Sequence, residues 1–181
     1  MRALPRTLLA CLLLAACETL PPLPDIAGDV VLSGKIKITQ GGKISTSNFR
    51  WTQTSSGFDA YFWGVMGAGT TRLYGDSETL SIDSRDLRTS GPAQEILQEQ
   101  LGWSLPVELL LVWVRGMPEA SMPVDNLQRN AGGAVESFEQ RGWRLRFEDF
   151  DDAGRYKRLS ANHRDAAVLI VVRERGESGS L

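Results

Sequence analysis

Between two runs of short alternating segments the chain carries one stretch that reads as a strong helix, LGWSLPVELLLVWVRGMP from Leu101 to Pro118. Val107, Leu110, Leu111 and Val114 recur at i, i+3, i+4 and i+7, so an α-helix gathers them on one face. Ser104 is placed to cap its first turn, Pro106 is tolerated there, and Arg115 followed by Gly116 closes it. An apolar stripe needs a surface to lie on. The flanking sequence is mostly strand-like, which points the stripe at a sheet.

The strands are read from alternation. Lys35-Ile36-Lys37-Ile38 sits in a strand from Val30 to Thr39, and Gln40-Gly41-Gly42 makes a tight turn. A second strand, Ile44 to Gln53, puts Phe49 and Trp51 on one face and Arg50 on the other. A third, Phe58 to Trp63, sets Phe58, Ala60 and Phe62 against Asp59, Tyr61 and Trp63. Two more follow at about Thr70 to Tyr74 and Glu78 to Asp83, with a short strand or turn in Ser84 to Ser90. A first helix covers Pro92 to Leu101, and Pro118 to Gly133 reads as an irregular loop. Strands resume at Ala134 to Gln140, Trp143 to Phe150, Arg158 to Asn162 and Ala166 to Val172, before a polar tail from Glu174. Many short strands in meander order with a helical insert give the α+β class: an antiparallel sheet with helices on one side. If that sheet curls, its concave face is apolar and the helices lie across it.

The first 16 residues read as a secretory signal. Arg2 and Arg6 form its basic start, Leu8 to Leu14 its short apolar run, and Leu14-Ala15-Ala16-Cys17 a lipobox. Cys17 then becomes the lipidated first residue, and residues 17–28, with Pro21, Pro22 and Pro24, an extended tether. The folded domain is residues 29–175 and the tail 176–181. Glu18 stands where Asp would retain a lipoprotein at the inner membrane; by resemblance to sorted lipoproteins this sends the chain to the periplasmic face of the outer membrane. Removing the signal takes two of 20 basic residues and none of 22 acidic ones, moving the net charge from −2 to −4. Mild acidity gives no support for nucleic-acid binding. Cys11 leaves with the signal and Cys17 is consumed by lipidation, so no disulfide is expected.

Few residues here could carry covalent chemistry. His163 is the one histidine, with no nucleophile motif beside it. There is no phosphate-binding or dinucleotide fingerprint. Glu148-Asp149-Phe150-Asp151-Asp152 lacks the spacing of a calcium loop and reads as a solvated turn. The emphasis is apolar instead. Phe49, Trp51, Phe58, Phe62, Trp143, Leu145 and Phe147 fall on the faces that alternation turns inward, and Leu111, Trp103 and Trp113 come from the helical insert. Core packing accounts for such residues as readily as a ligand pocket does, although the density of Trp favours a pocket. Gly64 to Gly69 adds an uncharged, glycine-flanked loop carrying Val65 and Met66, read as either a turn or an apolar probe.

Three stretches resemble one family. LGW-x-LP-x(6)-W-x-x-G-x-P (Leu101 to Pro118), FRWTQT (Phe49 to Thr54) and QRGWRLRF (Gln140 to Phe147) are similar to the LolB family of outer-membrane lipoproteins. The resemblance implies an open half-barrel whose inward aromatics line a cavity for acyl chains, a role it carries to Trp51, Trp113 and Trp143. It implies a receptor that accepts lipoproteins from a LolA-like periplasmic carrier and inserts them, as a monomer, without cofactor, metal or enzymatic step. In the family the loop bears an exposed Leu before Gly; Met66 stands in that place here. The chain departs from the family pattern in lacking a long helix before the first strand, a Pro within Tyr156 to Leu159, and a closing Trp. The alternatives are a carrier of another lipid or hydrophobic ligand, a structural adaptor lipoprotein with a filled core, and, more distantly, a hydrolase using His163.

Overall fold

The computed structural model describes residues 30–64, 69–102, 105–164 and 166–176. Eleven antiparallel strands make one sheet: β1 (Val30–Gln40), β2 (Lys43–Gln53), β3 (Phe58–Trp63), β4 (Thr71–Gly75), β5 (Thr79–Asp83), β6 (Arg88–Pro92), β7 (Asp125–Arg129), β8 (Val135–Gln140), β9 (Trp143–Glu148), β10 (Arg158–His163) and β11 (Ala166–Gly176). Their order is β6-β5-β4-β3-β2-β1-β11-β10-β9-β8-β7. The first and last strands therefore pair at the centre, and each half of the sheet is a meander. The sheet stays open because its edges, β6 and β7, do not pair with each other.

Alternation sets the faces. On β9, Trp143, Leu145 and Phe147 are buried while Arg144 and Arg146 are exposed. On β2, Phe49 and Trp51 are buried and Arg50 is exposed. The β1–β2 hairpin closes through Gly41 (φ 54) and Gly42 (φ 78), the paired positive angles of a two-residue turn that matches strand twist. β1 carries a bulge against β11 at Ser33 and Gly34, where a Cβ on Gly34 would overlap the carbonyl of Val171.

Between β6 and β7 run α1 (Ala93–Ile96), a π-helical turn (Leu97–Leu101) and α2 (Val107–Trp113). The expected ten-residue first helix is thus a short α-helix that widens into the π turn, ended by Gly102 in the left-handed conformation (φ 66). Pro106 precedes α2 without a side-chain cap; Ser104, the expected cap, lies outside the described residues. The burial of α2 also differs from the stripe: Val107, Leu109 and Trp113 are its buried residues, while Leu110 and Leu111 are half-buried.

Two boundaries are corrected. The expected loop from Pro118 to Gly133 contains β7, an irregular edge strand whose sequence DNLQR has too little apolar alternation to announce itself. The expected tail from Glu174 continues β11 to Gly176, because Val31, Leu32 and Ser33 of β1 supply it with partners. The signal, Cys17, the tether and Val65-Met66 lie outside the described residues, as does the tail from residue 177. No described helix is long and apolar enough to cross a membrane.

Gly34 tests the centre of the sheet. Gly34→Ala forces a methyl into the Val171 carbonyl and is expected to cost about 1–3 kcal/mol, read as a lowered denaturant midpoint with the slope unchanged.

Candidate ligand cleft

The inward residues of β1 to β5 and β11 form one wall of a cleft, and Leu97, Leu105, Val107, Leu110 and Val114 form the other. It measures about 680 Å³ counted to its mouth, around a cavity of about 50 Å³. Every lining residue is apolar. Trp51 stacks on Phe58 with ring centroids 4.8 Å apart, and its indole N–H donates to Gln53 Oε1 at 3.2 Å. The polar edge of that ring is thereby turned away from the cleft. A groove lined by Ser45, Ser47 and Thr71 continues it through the shared residues Ile36, Ile38, Phe62 and Leu73. Thr71 opens β4, so this continuation ends beside the connection from β3 to β4.

Of the residues expected to line a cavity, Phe49, Trp51, Phe58 and Phe62 do stand on this cleft. Trp113, Leu145 and Phe147 stand elsewhere, in the core under the β8–β10 half of the sheet, and Trp143 borders a separate small cavity with Ile38, Leu105 and Val168. Trp113 lies 6.0 Å from Trp143, and Trp143 stacks on His163 at 5.2 Å. Leu111 is half-buried and also outside the lining. Trp103 and the Val65-Met66 loop lie outside the described residues. The division has a physical cause. Trp113 Nε1 donates to Gln140 Oε1 at 3.1 Å, which turns Trp113 toward β8 while Val107, Leu110 and Val114 face the cleft.

Periodicity alone missed the polar residues that hold the helical segment down. Gln53 Nε2 donates to the Leu111 carbonyl at 2.9 Å. Gln140 accepts from the Glu119 N–H at 2.9 Å as well as from Trp113, and its Nε2 donates to the Glu119 carbonyl at 2.8 Å. Tyr156 Oη donates to the Val114 carbonyl at 2.6 Å. Both glutamines are buried. The signal that could have found them was a polar residue in an inward register, two after Trp51 and three before Trp143. Among the described residues no side-chain hydrogen bond ties Leu97–Gly102 to the sheet, while the start of α1 is fixed by the Ala93 N–H, which donates to the Glu78 carbonyl at 2.8 Å.

The remaining candidates have structural roles. His163 ends β10 against Trp143. Asp151 accepts from the N–H groups of Arg155 (2.9 Å) and Ala153 (3.0 Å) and from Arg155 Nε (2.8 Å), which holds its carboxyl below the usual range. No group of His, Cys, Asp or Glu among the described residues is arranged to hold a metal ion.

The family model described as Outer membrane lipoprotein LolB matches residues 29–174. The chain belongs to the LolB family. A relative named outer-membrane lipoprotein LolB from Nitrosococcus oceani is 33% identical over 121 residues, 66% of this chain and 60% of the relative. The alignment therefore spans less than two thirds of that protein. Another of the same name, from Pseudomonas fluorescens, is 30% identical over 148 residues, 79% of this chain and 72% of the relative. A solved LolA superfamily protein from Nitrosomonas europaea shares the fold, with TM-score 0.54 at 9% identity, covering 88% of this chain and 89% of that one. Two of the LolB-like motifs house the latches: FRWTQT contains Gln53 and QRGWRLRF begins with Gln140.

Two measurements test the latches. Gln140→Leu leaves the Trp113 indole and the Glu119 backbone unpaired and is expected to cost at least about 2 kcal/mol, seen by chemical denaturation. Burial pushes the Tyr156 hydroxyl from 10.0 up to about 12, with Arg175 partly opposing. The unfolded chain then loses this proton first, so stability falls as pH rises from about 10 to 12, by on the order of 2–3 kcal/mol. Tyr156→Phe should abolish that component of the alkaline loss.

Proposed function

We propose that this protein is an outer-membrane-anchored receptor, held through a lipidated Cys17 on the periplasmic face. It takes lipoproteins from a LolA-like periplasmic carrier by accommodating their acyl chains, then releases them into the bilayer. The observation that carries this reading is the cleft, whose lining contains no polar or charged residue. Each CH₂ kept from water is worth about 0.8 kcal/mol, so a chain of about 15 carbons costs on the order of 12 kcal/mol to expose. Such cargo has to pass from one apolar site to another, and an apolar cleft meets that need with no covalent step, nucleotide or cofactor.

In the structure the cavity is narrow, so a chain enters as the Leu97–Gly102 stretch moves outward while Gln53, Gln140 and Tyr156 hold the end of α2 in place. Phe49, Trp51, Phe58 and Phe62 line the path, and the aromatic cluster of Trp113, Trp143, Leu145 and Phe147 gives the helix a rigid base. Val65 and Met66, which follow β3 in the sequence, engage the bilayer at release. Direction comes from relative affinity, tenfold for every 1.4 kcal/mol.

A transfer assay decides. Carrier loaded with labelled lipoprotein is mixed with wild type, Phe62→Asp or Met66→Glu, and liposomes follow. Wild type is expected to accept and insert the cargo, Phe62→Asp to lose acceptance at least about tenfold, and Met66→Glu to accept but stall before insertion. A wild type that never accepts cargo, or one that purifies with free lipid in place of acylated protein, counts against the receptor.

A further inference from the structure

The outward face of β1 to β3 is charged in a way the chain as a whole is not. Lys35 and Lys37 on β1 and Arg50 on β2 are exposed, and none of them forms an ion pair among the described residues. Two acids of the neighbouring strands are paired with other cations, and Glu174 keeps its charge beside Ser33. Asp59 receives Arg72 at 2.9 and 2.7 Å, Asp83 receives Arg88 at 3.1 and 3.0 Å, and Glu174 accepts from Ser33 at 3.1 Å. The same face presents Trp63, 40% exposed, and Tyr61, 37% exposed.

Register brings these side chains together. Lys35 pairs with Asn48, which pairs with Trp63, and Arg50 pairs with Tyr61. Strands lie about 4.8 Å apart and same-face neighbours about 7 Å along a strand, so Lys35, Lys37, Arg50, Tyr61 and Trp63 share a patch roughly 10 by 14 Å. The Tyr61 ring is braced by the Arg72 guanidinium, 5.4 Å from its centroid, while Asp59 fixes Arg72 in turn. Trp63 is the last residue of β3, directly before the β3–β4 connection.

We propose that this face docks on a bilayer, Trp63 sitting at the lipid–water boundary and Lys35, Lys37 and Arg50 reading anionic phospholipid headgroups. The inference rests on the membrane role proposed above and extends it from the loop to a sheet face. Indole is amphipathic and settles at the headgroup level, and uncompensated cations are drawn to an anionic surface. Charge complementarity favours a bilayer: a net acidic protein presents on this face three cations that form no ion pair among the described residues. Each cation near such a surface strengthens attraction roughly fivefold, an effect that fades beyond a Debye length of about 10 Å at 0.1 M salt.

The test uses the full-length lipidated protein reconstituted in phosphatidylethanolamine vesicles, with or without phosphatidylglycerol, carrying lipids brominated near the headgroup or deep in the acyl region. Emission from Trp63 is obtained by subtracting that of Trp63→Phe. Trp63 emission should shift to the blue and be quenched by the shallow bromines in anionic vesicles. That quenching should be lost without phosphatidylglycerol, at high salt, and in Lys35→Gln/Lys37→Gln/Arg50→Gln with unchanged thermal melting. Trp63 emission indifferent to bromine, quenching unaltered in the triple variant, or protection of Trp63 by the carrier protein in place of vesicles would each overturn the proposal. Cargo acceptance measured alongside separates the two readings. Acceptance with an unquenched Trp63 sinks only the docking face, and a quenched Trp63 with no acceptance sinks only the receptor.

Discussion

One hydrogen-bonded group, the Gln140 amide, fixes how the helical segment lies on the sheet. Its oxygen receives the Trp113 indole and the Glu119 N–H, and its nitrogen returns a bond to the Glu119 carbonyl. Buried polar atoms tolerate few arrangements, since each unpaired one costs about 1–3 kcal/mol. With Gln53 and Tyr156 it sets Leu111, Trp113, Val114 and Glu119 against β2, β8 and the approach to β10. An apolar stripe alone would let α2 slide, because hydrophobic burial has no direction. The latches give it one position, with Val107, Leu110 and Val114 facing the cleft.

The two halves of the sheet consequently differ. Under β8 to β10 the aromatics interlock: Phe138 meets Phe147 at 5.9 Å and Phe147 meets Tyr156 at 5.1 Å. Over β1 to β4 the inward side chains face helix residues across a space they do not fill. The chain belongs to the LolB family and shares its fold with a LolA superfamily protein. The outward face of the same strands carries the unpaired cations, so each strand of the cleft half separates an apolar interior from a surface of a different character.

Much of this was legible in the chain. Strict alternation in KIKI and WRLRF fixed strand and face together, because the pleat repeats every two residues. The Gly-Gly turn after Gln40 bounded a hairpin for a conformational reason, the positive φ of both glycines. What alternation could not separate was a wall from a filling. Phe49 and Phe147 have the same pattern and the same burial, yet one borders the cleft and the other is enclosed by aromatic neighbours. β7 escaped notice because an edge strand built from DNLQR gains its place from pairing with β8 and not from its own pattern.

The sequence by itself determined the antiparallel sheet, which side of each strand turns inward, the presence of a helical insert and the kinship with LolB, all properties carried by local period and short motifs. Only the tertiary structure decided which inward residues face open space, because that depends on where the seven-residue helix α2 comes to rest on an eleven-stranded sheet. Gln53, Gln140 and Tyr156 settle that resting place through bonds spanning 58, 27 and 42 residues. Separations of that size leave no trace in any window of sequence, since the partners become neighbours only when the sheet has formed.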